Sequence, residues 1–214
     1  DARGQPAFNS PQAVAATQAY LDVLLKHKVA PAASASFNEY DAANSMAQGK
    51  TAMYPVWWWR YAGLVDPKTS TLKPDQVGFA PLPSMPGKPS TTYTNSWFYG
   101  INRNSRKKDA AMEYLTWLSQ PSIERAVLLD PKLNEVVAVQ TANMLDGEVN
   151  RRFGGMHVYG AQALKGAKGT PLFPQWPQLS DLLEATMSEL ATGKTQVKPA
   201  LDEAASRARR ILRS

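Results

Sequence analysis

Apolar positions recur at helical spacing over residues 11–28, PQAVAATQAYLDVLLKHK, with Ala13, Ala16, Tyr20 and Leu24 on one face. Ser10 and Pro11 supply an N-cap and a first-turn proline, so a helix is predicted to start there. Pro31 and the AASAS run end it in a loop. FNEYDAANSMAQG predicts a second, shorter helix closed by Gly49 at the C′ position. TAMYPV reads as a short strand, with Pro55 marking an edge or an exit from a sheet. VGFAPLP and YTNSWFYGI have the same β-favouring character, and the polar, proline-bearing runs DPKTSTLKPDQ and SMPGKPSTT separate them as loops.

Helical spacing returns in NRNSRKKDAAMEYLTWLSQP, predicted as a capped helix from Ser105 with Ala111, Tyr114, Leu115 and Leu118 on its face. Pro121 stops it, and SIERAVLL adds a shorter helix. Residues 130–169 mix helix and loop signals. In TPLFPQWPQ the prolines at 171, 174 and 177 predict an irregular loop. Two amphipathic helices close the chain. The first carries Leu179, Leu182, Leu183, Thr186, Met187 and Leu190 and stops at Gly193. The second opens at Pro199 and carries Leu201, Ala204, Ala205, Ala208, Ile211 and Leu212. The pattern is α/β and helix-rich with a few short strands.

No apolar run approaches the ~20 residues that span a bilayer. The opening DARGQPAFNSPQ lacks a charged n-region and an apolar h-region, so no signal peptide is expected within it. Cysteine is absent, which excludes disulfides, thiolate chemistry and cysteine metal sites, and fits an oxidising compartment. The net charge of +6 raises the possibility of a nucleic-acid partner. The basic residues are scattered, however, and their densest runs, NSRKKD and SRARRILRS, fall on helix starts or solvent faces.

Catalytic patterns are missing. The two histidines, His27 and His157, have no metal-type spacing, and no GxSxG, GxGxxG or P-loop motif occurs. Glu39, Asp41, Asp66 and Asp75 are carboxylates without the paired placement that glycoside chemistry needs. Neither a cofactor nor a metal is expected.

The tryptophans carry the functional signal. Trp57, Trp58 and Trp59 are consecutive in KTAMYPVWWWRYAGL, and side chains of adjacent residues cannot all enter one core face. Trp97 follows Asn95 and Ser96, and Trp176 follows Gln175. All five sit at strand–helix junctions or in loops, where open α/β sheets bind ligands. Flat indoles suit the C–H face of a sugar ring, and the amides of Asn95 and Gln175 suit hydroxyls.

FNEYDAANSMAQGKTAMYPVWWW resembles the helix, GKxAM strand and tryptophan-bearing turn of bacterial extracellular solute-binding proteins of family 1. VGFAPLPSMPGKPSTTYTNSWFYGINRNSRKKDAAMEYLTWLSQP is similar to the stretch that follows there. FPQWPQLSDLLEATMSELATGKTQVKPALDEAASRARRIL is similar to its closing pair of helices. The resemblance implies capture of a sugar, oligosaccharide or polyol and its delivery to an ABC transporter permease. It also implies a periplasmic or extracellular, lipid-anchored location, and a type II periplasmic-binding-protein-like lobe with the N-terminal lobe mostly absent. On that analogy, residues 1–95 and 141–214 belong to the C-terminal lobe. Residues 96–140 make a hinge crossing and pack on the N-terminal lobe, which a second chain or a longer protein would supply. By spacing from Met53, the stacking tryptophan falls on Trp59, with Trp57 and Trp58 beside it. A small-small-Trp motif falls on Asn95, Ser96 and Trp97, where the family's usual glycines are replaced. Gln175 and Trp176 lie in a loop near the same cleft. The competing readings are a basic single-stranded nucleic-acid-binding module, which would interleave Lys and Arg with the tryptophans, and a carbohydrate-active enzyme fragment, which would need a carboxylate pair beside them.

Overall fold

The structure is a computed structural model and describes residues 4–213. Its first helices are α1 (Pro11–Leu25), α2 (Glu39–Ala47), α3 (Tyr61–Leu64), α4 (Lys108–Leu118) and α5 (Pro121–Leu129). They are followed by α6 (Thr141–Met144), α7 (Gly147–Arg152), α8 (Met156–Leu164), α9 (Trp176–Ala191) and α10 (Val197–Ile211). Two short strands, β1 (Thr92–Tyr93) and β2 (Ala167–Lys168), pair in parallel with Thr92 opposite Ala167 and Tyr93 opposite Lys168. The chain divides into two compact units, one of residues up to Asn38 together with those from Pro171 on, the other of Glu39–Thr170.

In the first unit, α1 begins where the sequence predicts, with the Ser10 hydroxyl accepting from the Ala13 amide at 3.3 Å. Its buried stripe is displaced by one position from the predicted one. Leu21 is buried and Val14 packs on the core, whereas Tyr20 is 71% exposed. Small alanines on both sides of α1 make its face ambiguous by period alone. Helices α9 and α10 follow the predicted stripe closely. Leu179, Leu182 and Leu190 of α9 and Val197, Leu201, Ala204 and Ala208 of α10 are buried. The alanines let the two helix backbones approach. TPLFPQWPQ is less irregular than predicted, because α9 already starts at Trp176 with Pro177 in its first turn. Proline is tolerated there, since first-turn amides have no partner within the helix.

In the second unit, Ala47, Tyr61, Leu64, Val77, Leu128, Val149, Phe153 and Met156 are among the buried core residues. Helix α2 closes at Gly49, whose φ of +66° and amide bond to the Met46 carbonyl (2.8 Å) match the predicted C′ role. The segments TAMYPV and VGFAPLP form no strand, and of YTNSWFYGI only Tyr93 enters a ladder. An extended segment becomes a strand only with a partner, and periodicity cannot supply one. Helix α4 starts at Lys108, not at Ser105. The Ser105 hydroxyl accepts instead from the Lys107 amide at 3.1 Å, closing a local turn before the helix. No residue of α4 is buried: Tyr114 is 59% and Trp117 48% exposed.

The Glu124 carboxylate of α5 accepts from the amides of Val139 (2.9 Å) and Gln140 (3.3 Å) and from Asn143 Nδ2 (2.6 Å). It thereby fixes the entry into α6. Arg125 bridges Asp146 (3.0 Å) and Glu148 (2.5 Å) at the start of α7, and the Val149 amide, then Arg125 and the Glu148 amide, hold the Asp146 carboxyl below its usual range. His157 has no exposed surface, and its Nε2 accepts from the Ala138 amide at 3.0 Å.

Candidate functional site

The tryptophan triplet does not leave a strand. Trp58–Arg60 forms a 3₁₀ turn that feeds directly into α3. A 3₁₀ turn has three residues per turn, so adjacent side chains leave it about 120° apart. Trp57 is half-buried and packs edge-on against Tyr93 of β1, with ring centroids 5.5 Å apart and planes at 64°. Trp59 is half-buried, with the Arg60 guanidinium over its ring at 4.2 Å. The side chain of Trp58 lies outside what the structure describes.

Trp57 is thus tied to β1, four residues before Trp97. Trp97 itself is 96% exposed, and Phe98 and Tyr99 beside it are exposed as well. Asn95 and Ser96 are exposed too, and Asn95 Oδ1 accepts from the adjacent Ser96 amide at 2.9 Å. Gln175 and Trp176 belong to the other compact unit. There Gln175 stands at the N-cap of α9 without a side-chain cap bond, and Trp176 meets Phe173 edge-on at 6.2 Å.

Beside the triplet lies a hollow of about 140 Å³, lined by Tyr54, Val56, Phe79, Thr92, Tyr159 and Ala163 among others. Its size is well below the ~300–1,000 Å³ typical of small-molecule sites. The Tyr54 hydroxyl donates to the Glu39 carbonyl at 2.9 Å, and burial, then the nearby Glu39 charge, raises its pKa.

The charged groups near the triplet are engaged with one another. Arg60, the basic residue that adjoins it, donates through Nε to Glu39 Oε1 at 2.9 Å and lies over Tyr40 as well as Trp59. It is 8% exposed, which removes it from phosphate binding. Glu39 is committed to Arg60, and Asp66 Oδ1 accepts from the Lys68 amide at 2.9 Å. Neither has the free placement that a glycosidase pair requires. Among the described residues, no group of three or more His, Asp or Glu is disposed to hold a metal ion. His157 is likewise accounted for: its Nε2 is an acceptor, so its proton sits on a buried Nδ1, and burial lowers its pKa to about 4. Sequence reasoning missed Arg60, Glu39 and Tyr40 as a unit. The signal was the Glu-Tyr pair at the start of α2, which meets Arg60 only through tertiary contact.

Residues 1–124 match the family described as bacterial extracellular solute-binding protein, more than half of the chain. The chain belongs to this family. As a solute-binding protein it is similar, at 30% identity over 58% of its length, to a probable amino-acid ABC transporter periplasmic-binding protein of Sinorhizobium fredii, of which it covers 27%. It is 25% identical over 94% of its length to a probable ABC transporter-binding protein of Deinococcus radiodurans, covering 47% of that protein. Among solved structures, the maltose-bound MalE3 of T. maritima aligns with 97% of the chain at a TM-score of 0.83 and 24% identity. The solute-binding protein of Agrobacterium radiobacter K84 in complex with ribitol aligns with 99% at 0.81 and 25% identity. The chain spans 52% of each of these two proteins and about half or less of the curated relatives. The fold is that of periplasmic binding proteins, and the family's description is of extracellular solute binding, not of catalysis.

Proposed function

We propose that this chain captures a sugar, oligosaccharide or polyol for an ABC importer, stacking it on Trp59 and Trp57 and binding its hydroxyls through amides. Membership of a solute-binding family carries this reading. The exposed aromatic residues support it: Trp97 is almost fully exposed, while Trp57 and Trp59 are only half-buried. Trp58, Asn95, Ser96 and Trp97 contribute further contacts to the same wall. The solutes bound to the two similar structures, maltose and ribitol, are both polyhydroxylated. The protein acts in the periplasm or outside the cell on a lipid anchor, and its partner is the transporter permease.

The second wall of the cleft comes from residues outside this chain, either a longer protein or a second chain. The hollow beside the triplet is too small for a disaccharide, and α4 leaves an apolar face open. Residues 96–140 are then the hinge crossing and the segment that packs on the missing lobe. Affinity depends on that wall. A site that binds at about 1 μM with both walls, about −8.2 kcal/mol, falls to about 1 mM if half of that free energy is lost.

The test is intrinsic tryptophan fluorescence titrated with maltose, ribitol, other sugars and polyols, and a panel of amino acids. A saturable change with a sugar or polyol, abolished in Trp59→Ala, is the expected result. Saturation by an amino acid alone would replace the solute class, in line with the name of the Sinorhizobium relative.

A further inference from the structure

We infer that Arg60 is a positioning residue for Trp59: it covers one face of the indole and holds the ring, leaving the opposite face as the stacking surface. The consequence for solute rests on the solute-binding reading above; the positioning itself rests on geometry. The Arg60 Cζ stands 4.2 Å from the centre of the Trp59 ring and 4.1 Å from that of Tyr40. Its Nε donates to Glu39 Oε1 at 2.9 Å. Glu39 and Tyr40 are the first two residues of α2, so one helix end anchors the guanidinium both by charge and by a ring.

The burial gradient runs in the direction such a role requires. Arg60 is 8% exposed, whereas Trp59 is only half-buried, so the support lies beneath the ring it supports. The Arg60 Nη2 is buried without an acceptor. A residue kept only for ion pairing would be expected to use both ends of its fork, and an unmade buried hydrogen bond is costly. Stacking explains why the cation is held in spite of it. A guanidinium is flat, weakly hydrated and suited to lie on aromatic faces, whereas a lysine ammonium is a compact point charge. An indole on a short 3₁₀ turn without such support would sample several rotamers, and fixing it would weaken binding.

The experiment isolates the Trp59 emission as the difference between the chain and its Trp59→Phe variant. Acrylamide quenching of that component is then measured in the Arg60→Lys, Arg60→Met and Glu39→Gln backgrounds, with maltose and ribitol as binding probes and far-ultraviolet circular dichroism as the check on folding. Quenching of Trp59 is expected to rise about twofold in both Arg60 variants, because lysine keeps the charge but not the planar cover. Affinity for whichever probe binds should fall about tenfold, and Glu39→Gln should lie between these variants and the unaltered chain. Unchanged quenching and affinity in a folded Arg60→Lys chain would overturn the inference. If neither Arg60 variant folds, Glu39→Gln decides, and the absence of any rise in quenching there overturns it. If the unaltered chain binds neither probe but quenching rises, the positioning role stands and maltose and ribitol are excluded as its solutes.

Discussion

At Gly154 the backbone turns with φ of +60°, and a Cβ there would lie 2.8 Å from both Cζ and the hydroxyl of the buried Tyr61. Tyr61 is the first residue of α3, directly after the tryptophan turn, so this glycine helps to seat the turn's support. Gly154→Ala combines a strained φ with a clash, and should destabilise the protein by about 2 kcal/mol or more in urea unfolding. His157 makes a second residue-scale prediction. Its pKa is lowered from 6.5 to about 4 by burial, so the folded state favours the neutral ring. The unfolded chain takes up a proton first as pH falls, and stability present above pH 6.5 is lost progressively down to about 4. The loss attributable to this residue is about 3 kcal/mol, and His157→Gln should flatten the stability profile across that window. Neither role was visible in the sequence. FGGMHVYG shows two glycines and a histidine, but a positive φ and a bond to the Ala138 amide depend on what is packed opposite.

Elements divide by how local their causes are. Helices α9 and α10 were legible because a full apolar stripe runs along each, with a glycine stop after α9 and Pro199 in the first turn of α10. The N-cap of α1 was legible for the same reason, and Ser10→Ala should cost about 1 kcal/mol in thermal or urea unfolding. The predicted strands were not, because TAMYPV and VGFAPLP have β-favouring character in the sequence but lack a ladder partner among the described residues. Residues 130–169 resisted reading for a further reason. Their short helices are held by side chains distant in sequence, above all Glu124, which takes three donors from the 139–143 segment. Glu124→Ala takes the carboxylate acceptor from all three, leaving the buried Asn143 Nδ2 with the Pro121 carbonyl alone. It should cost about 2 kcal/mol and raise amide exchange at Val139 and Gln140 first.

For the molecule as a whole, the family was legible from motif order, whereas the proposed site rests on residue types in the sequence. The sequence pointed to Trp59, but its support by Arg60, Tyr40 and Glu39 had to come from the fold. Met112, Tyr114 and Trp117 of α4, with Trp97, Phe98 and Tyr99, are large apolar side chains left exposed. Dynamic light scattering should therefore show concentration-dependent self-association. The pair of changes Tyr114→Ser and Trp117→Ser should reduce it without lowering stability by more than about 0.5 kcal/mol, since neither residue is buried. The central claim, that this chain is a solute-binding protein that stacks a polyhydroxylated ligand on Trp59, is tested most directly by isothermal titration calorimetry of maltose and ribitol at several temperatures. Saturable binding with a negative heat-capacity change, lost in Trp59→Ala at unchanged fold, is the predicted result. Binding that persists undiminished without the Trp59 indole would contradict it.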